Sequence, residues 1–468
     1  MFSRRAHASA SSPRDADHVI EKPTSKSSSR EPGLPQHNGD VAQVEDGDRQ
    51  SPVTPGIKAA GESYRRGIHP IHFLRISFRS SSKVSRAVNV LWPVVPAAIA
   101  VKYARPDWHL AIFILTYIAM VPCANLIGFA GQELARKFSH VYGVLIETCF
   151  GSVVEIILFM VLLSRDQFLV VQAAILGSVL ATMLLCLGLC FFAGGVWRET
   201  STFDEAVSEA GSGLLLTAGF GLAVPTVFRW ATDESDTALL ERNTLQVSRI
   251  TAVLLIIAYF VFVWFQARSH HSIYDAIFEY DEARDRDGSK DKKKDKLTLT
   301  ECVIALAISI ALVTIIAISL VDEITPIVET RGISDPFMGL ILVPLVEKAA
   351  EHLTAIDEAW DDQMNFALSH VLGATLQTAL FNAPLVVIVG WGLDKAMGLD
   401  FDVFNITVLL IAIVTVGNFL RDQKSNYLEG VLCVIVYIAV AVAAFYSPNP
   451  HEAGSTESSG STASEGDH

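Results

Sequence analysis

Two seven-residue stretches decide how the chain folds: Phe150-Gly151-Ser152-Val153-Val154-Glu155-Ile156 and Val346-Glu347-Lys348-Ala349-Ala350-Glu351-His352. Each sets a carboxylate inside an apolar run, residues 141–163 in the first case and 336–355 in the second. Downstream of each lies a small-residue segment, Ile175-Leu176-Gly177-Ser178-Val179-Leu180 and Val371-Leu372-Gly373-Ala374-Thr375-Leu376. The glycine follows the glutamate by 22 residues both times, from 155 to 177 and from 351 to 373. Two acids and two small-residue segments at one spacing indicate an internal duplication with an offset of 196 positions, the interval from 155 to 351.

The surroundings of both stretches belong in lipid. The 468 residues are 51% hydrophobic and only 18% charged, whereas a soluble protein carries about 25% charge. The net charge of −14 comes from tails and loops and leaves no basic surface for nucleic acid. A helix needs about 20 apolar residues to cross the hydrocarbon. Residues 111–130, 167–197, 210–228, 250–267, 302–321, 364–393, 403–420 and 430–450 meet that length with no Asp, Glu, Lys or Arg. A shorter run at 87–101 holds Pro93 and Pro96 and counts as a first span; the two acid-bearing runs bring the total to eleven. All six cysteines lie in apolar stretches and read as packed free thiols.

The fold class expected is therefore an all-α membrane protein of about 11 transmembrane helices: two inverted five-helix repeats plus an extra N-terminal helix. An odd number of spans per repeat inverts the second, the plan of secondary transporters. Residues 1–84 read as a disordered tail, 87–268 as the first membrane half, 269–298 as a charged linker, 299–447 as the second half and 448–468 as an acidic tail. Lys and Arg crowd one set of loops, which places the N-terminus and the linker in the cytosol.

A carboxylate in hydrocarbon costs at least ~2.5 kcal/mol, so it faces a cavity, a partner or an ion. Glu155 and Glu351 hold equivalent places, and a pseudo-two-fold axis brings them together. Two facing carboxylates suit a hard divalent cation. Without it they repel, and one takes up a proton. A structural pair holding helices together is the alternative. His352 reads either as a proton relay or as a packed neutral ring; His370 reads as structural. Glu147 lies about two turns before Glu155 and either extends a proton path or sits near the interface. Gly151, Gly177, Ser178 and Gly373 read as small residues at helix breaks or close crossings. Lys348, three residues before Glu351, shares its helix face and is expected to pair with Glu347 or with Glu351. Pairing with Glu347 leaves Glu351 free for a cation; pairing with Glu351 fills the cation's place.

Further runs carry a resemblance: Gln132-Glu133-Leu134-Ala135, Gly339-Leu340-Ile341-Leu342, Ala349-Ala350-Glu351-His352-Leu353-Thr354-Ala355, Gln377-Thr378-Ala379-Leu380-Phe381 and Lys424-Ser425-Asn426-Tyr427-Leu428-Glu429-Gly430. Over roughly residues 87–447 the chain resembles the calcium/proton exchangers of the calcium/cation antiporter superfamily, most closely the fungal vacuolar type. The resemblance implies an antiporter, not an enzyme. It would move Ca²⁺, Mn²⁺ or another cation from the cytosol into an acidic organelle against protons, with no cofactor, from the vacuolar membrane. It makes Glu155 and Glu351 the metal-binding acids, with Ser152 still offering an oxygen; His352 and Gln377 are further cation- or proton-binding candidates, and Glu147, Glu347 and Lys348 are candidates to modulate the site. The family's Gly-Asn-Ala-x-Glu signature is altered here: Ser152 replaces the first Asn, and Glu347-Lys348 replaces the second Gly-Asn. A transport-impaired or monovalent-selective relative, acting as a sensor or partner-binding membrane protein, is the second reading. An intramembrane hydrolase built on Glu351, His352 and His370 lacks a His-Glu-x-x-His pattern.

Overall fold

In lipid every backbone N–H and C=O must find its partner within its own segment, so long apolar runs fold as helices. A computed structural model describes residues 62–447, apart from 64, 66, 81, 139, 233–235 and 285–293. The expectations for residues 1–61 and for the acidic tail at 448–468 lie outside the described residues. Among the described residues, 10 helices are long and apolar enough to cross a membrane. They coincide with ten of the eleven expected spans. The eleventh, around 336–355, is helical but carries too much charge for that measure and is divided. A short turn at Asp335–Phe337 runs into a widened π-helical turn, Met338–Leu342, then Val343–Glu347, and after an interruption at Lys348 into Ala349–Trp360.

The first half is divided in the same place. Helix His140–Gly151 stops, Ser152 interrupts, and Val153–Ser164 continues. Positions 152 and 348 differ by the same 196 as the two glutamates. Widened turns also correspond: Ala181–Cys186 in the first half and Thr378–Asn382 in the second. Helices related by this offset pack on one another. His109–Ala135 lies on Leu299–Asp322, and Glu205–Ala231 lies on Val403–Leu420. Leu187–Gly195 and Tyr427–Phe445 are not counterparts of one another, but they pack together, and their own counterparts, Ala383–Gly392 and Thr237–Trp264, pack together likewise. The two long interrupted helices form the centre. The most apolar window is 83% buried in Phe168–Gly195 and 78% in Met364–Gly392, against 17% in Thr237–Ser269, which faces outward.

Gly177 and Gly339 set the tightest crossing. A Cβ on Gly177 would strike the backbone carbonyl of Leu340, and one on Gly339 would sit 2.6 Å from the Ala173 Cβ and 2.7 Å from the Val170 oxygen. Of the two expected roles, helix break or close crossing, the crossing is the one Gly177 fills. Gly177 and Ser178 lie within the regular helix Phe168–Leu180, and Gly373 within Met364–Gln377. Only Gly151 borders an interruption. Backbone contact, not unwinding, is what Gly177 provides.

Two segments read as unstructured are helical. The tail was expected to run to residue 84, yet Pro70–Arg79 and Lys83–Val88 are helices. Composition hid a helical period: Ile71, Leu74 and Phe78 recur on one exposed face, with Arg75 and Arg79 beside them, the pattern of a helix lying in a membrane interface. Within the charged linker, His271–Arg284 is a helix that buries Tyr274, Ile277, Phe278 and Asp281. Burial raises the Asp281 carboxyl, opposed by its hydrogen bonds. It accepts from the Asn365 and Phe366 backbone N–H groups at 2.8 and 3.2 Å and so caps Met364–Gln377 from another element.

Replacing Gly177 with Ala should lower the thermal midpoint in detergent strongly, by about 3 kcal/mol of stability, because backbone must move. Gly373→Ala should leave the midpoint unchanged or raise it, since the nearest atom to its new Cβ is 3.8 Å away and Ala is the better helix former. Equal midpoints for the two variants would refute the crossing as described.

Candidate functional site

The two interruptions aim their flanking side chains at one point. Glu155 occupies the first turn of Val153–Ser164 and is fully buried. Its Oε1 accepts from Ser178 Oγ at 2.8 Å and from Thr378 Oγ1 at 2.8 Å. Its Oε2 accepts from Thr378 Oγ1 at 2.9 Å and from Asn382 Nδ2 at 2.8 Å. Thr378 and Asn382 bracket the widened turn of the second half, so that turn exists, in effect, as a cradle for the first half's carboxylate. The cross-half reach is 223 and 227 positions.

Lys348 completes the arrangement. It is fully buried, and its ammonium lies 2.7 Å from Glu155 Oε2 and 3.0 Å from Glu351 Oε2. Glu155 and Glu351 thus converge on one cation that the chain itself supplies. Of the two expected partners, Glu347 or Glu351, Lys348 takes Glu351, and Glu155 is a further partner that spacing along one helix does not reveal. Glu351 is held differently from Glu155. Its side chain is 18% exposed and its Oε1 lies against the Cα of Gly151, so close that a Cβ there would collide with it. Gly151 is small because a carboxylate sits on it.

Acceptor oxygens outnumber donors around this point. Ser152 Oγ, Gln377 Oε1, Asn382 Oδ1 and both Glu347 oxygens are buried and make no hydrogen bond among the described residues. The Ser178 hydroxyl near Glu347 is given to Glu155. Such an excess of oxygens suits a hard cation. The described residues contain no cluster of three or more His, Cys, Asp or Glu arranged around a metal position.

The remaining expected residues separate. His352 is buried and its Nε2 lies 3.5 Å from Thr182 Oγ1; it does not touch the Glu155 cradle. Gln377 is buried beside the cradle but contributes no bond to Glu155. Glu147 lies instead beside His370, 3.4 Å from its Nε2. Sequence reading named neither Thr378 nor Asn382 as site residues. The available signal was the offset: Thr378 is the counterpart of Thr182, in the segment following the repeated glycine.

Residues 108–268 and 302–446 match the family model described as sodium/calcium exchanger protein. Vacuolar cation/proton exchanger 2 of Arabidopsis thaliana is 32% identical over 371 residues, covering 78% of this chain and 82% of that protein. The vacuolar calcium ion transporter of Schizosaccharomyces pombe is 32% identical over 375 residues, covering 80% and 88%. Among solved structures, native YfkE superposes with a TM-score of 0.62 and 25% identity over 76% of this chain and 100% of its own. The H+/Ca2+ exchanger CAX, at TM-score 0.56 and 12% identity over 79% and 90%, shares the fold.

Replacing Lys348 with Met should destabilise the protein by about 3 kcal/mol, because two carboxylates lose their buried counter-charge. Thermal unfolding in detergent without divalent cations measures this. A wild-type midpoint would mean that the ammonium does not neutralise the pair.

Proposed function

The chain belongs to the sodium/calcium exchanger protein family, and from that premise we propose that it is a cation/proton antiporter of the vacuolar membrane that moves Ca²⁺ at the Glu155–Glu351 site. The observation that carries this is the meeting of two carboxylates, 196 positions apart, on one positive charge. Three buried or half-buried carboxylates, Glu155, Glu351 and Glu347, stand with one ammonium, Lys348. When all are ionised their formal sum is −2, which one divalent cation or two protons neutralise. Loading requires the Lys348 ammonium to leave its place between the acids. The cation then gains the oxygens of Glu155 and Glu351, with Ser152, Asn382 and Glu347 as further donors. Protons replace it by neutralising the acids, since like charges held together cannot all stay ionised.

The reciprocal packing of the two halves supports a pair of inverted repeats; the crowding of Lys and Arg in one set of loops favours a cytosolic N-terminus and 269–298 segment, with the cation moving toward the organelle interior. The vacuolar placement rests on relatives named vacuolar transporters.

One observation favours a second reading. Because Lys348 touches both acids, it stands where the cation would, and a transport-impaired or monovalent-selective relative fits that geometry.

Uptake of radioactive Ca²⁺ into vesicles with an imposed inside-acid gradient separates the readings. As an exchanger, the wild type takes up Ca²⁺, and Glu155→Gln and Glu351→Gln each abolish uptake, since an amide cannot alternate between proton and cation. Full transport by either variant would sink the two-carboxylate mechanism. If the wild type is inert and the Glu347→Gly, Lys348→Asn double variant transports, the lysine blocks the site and the second reading holds.

A further inference from the structure

A second titratable cluster lies outside the Glu155 cradle. His370, on Met364–Gln377, sits between two carboxylates: its Nδ1 lies 2.7 Å from Glu358 Oε2, and its Nε2 lies 3.4 Å from Glu147 Oε2. The three side chains are 12%, 18% and 21% exposed for His370, Glu358 and Glu147. They come from three elements and both halves: His140–Gly151, Ala349–Trp360 and Met364–Gln377. Glu358 fixes the ring through Nδ1, whereas the Nε2 atom is buried without a hydrogen bond.

His370 lines a cavity of about 40 Å³ together with Glu147, His352 and Glu351. Its volume exceeds the ~10–15 Å³ that a water needs, and Glu147, Glu351, His352 and His370 are the polar partners available to one on an otherwise apolar lining. A second cavity shares Glu147 and Glu351 with the first and is lined by Glu347 as well. The cluster thus faces the more exposed of the two acids, Glu351, and not the enclosed Glu155.

We propose that His370, clamped by Glu358 and Glu147, is a proton-handling station that exchanges protons with Glu351 through the shared cavity. This rests on the exchange reading and adds a residue to it. In the proton half of the exchange, the imidazolium Nε2–H bond breaks and its proton passes to cavity water. The water gives one of its own protons to the Glu351 carboxylate. Glu351 becomes neutral and His370 is left as neutral imidazole, ready for the next proton. An imidazole suits this task because its ordinary titration lies near neutrality. The groups facing it are Glu147, Glu358, Glu351, His352 and Cys186, with Asp281 beyond Glu358. Glu358 and Glu147 flank the ring on its two sides.

Two measurements test this on the full-length protein. In vesicles, His370→Gln should lower the maximal rate of Ca²⁺ uptake at least ten-fold and flatten its pH profile near neutrality. The KM for Ca²⁺ should stay within two-fold. Imidazole in the buffer should restore rate to His370→Ala. In detergent, a pH jump followed by infrared absorption of the carboxyl groups reads protonation without any transport. There the variant should respond at least ten-fold more slowly than wild type. An unchanged pH profile, or equal protonation rates, overturns the proposal. A wild type that protonates quickly but carries no Ca²⁺ would count against the exchange reading alone. Glu358→Gln, which keeps a hydrogen-bonding partner for the ring, should give the same slowing and serves if His370 variants fold poorly; wild-type rates in it overturn the proposal equally.

Discussion

Everything near the centre of this molecule follows from the contact between the Lys348 ammonium and the carboxylates of Glu155 and Glu351. Charges of this kind cannot sit alone in a lipid-embedded core; they must neutralise one another and have their remaining lone pairs satisfied. The interruptions at Ser152 and Lys348 answer that demand geometrically. Each ends one helix and starts another, so that the first turns of Val153–Ser164 and Ala349–Trp360 direct acids inward from two halves. The widened turn Thr378–Asn382 answers it chemically by bringing a hydroxyl and an amide to Glu155.

The scaffold is nearly symmetric and the chemistry is not. Counterparts at the 196-residue offset are Ser152 and Lys348, Gly151 and Glu347, Ser178 and Ala374, and Cys186 and Asn382. Each substitution moves polar partners toward Glu155 or charge toward the second interruption. Glu155 is therefore enclosed and fully supplied with donors, while Glu351 rests on Gly151, meets one ammonium and borders two cavities. An enclosed acid thus stands beside one that borders open space.

Fold and site were legible to different depths. Long apolar runs, the duplicated glutamate and the glycine spacing are local facts. They suffice because lipid leaves a chain few options beyond helices. The helix Pro70–Arg79 and the helix His271–Arg284 were missed because charge-rich composition masked an apolar period of three and four residues. Lys348 was expected to choose among its neighbours on one helix, since sequence displays only spacing along a segment; its contact with Glu155 crosses 193 positions, from 155 to 348.

By itself, then, the sequence determined the class of fold, the duplication and the identity of the two central acids, because helical period and the cost of charge in lipid act within single segments. Only the tertiary structure decided what those acids touch. It set Thr378 and Asn382 on Glu155, placed the ammonium between the halves, and drew His370 between Glu147 and Glu358. Those contacts depend on how closely helices cross, and that distance is set where backbones meet, at Gly177 on Leu340 and at Gly339 on Ala173. No pattern along one segment encodes the partner waiting on the other side of such a crossing.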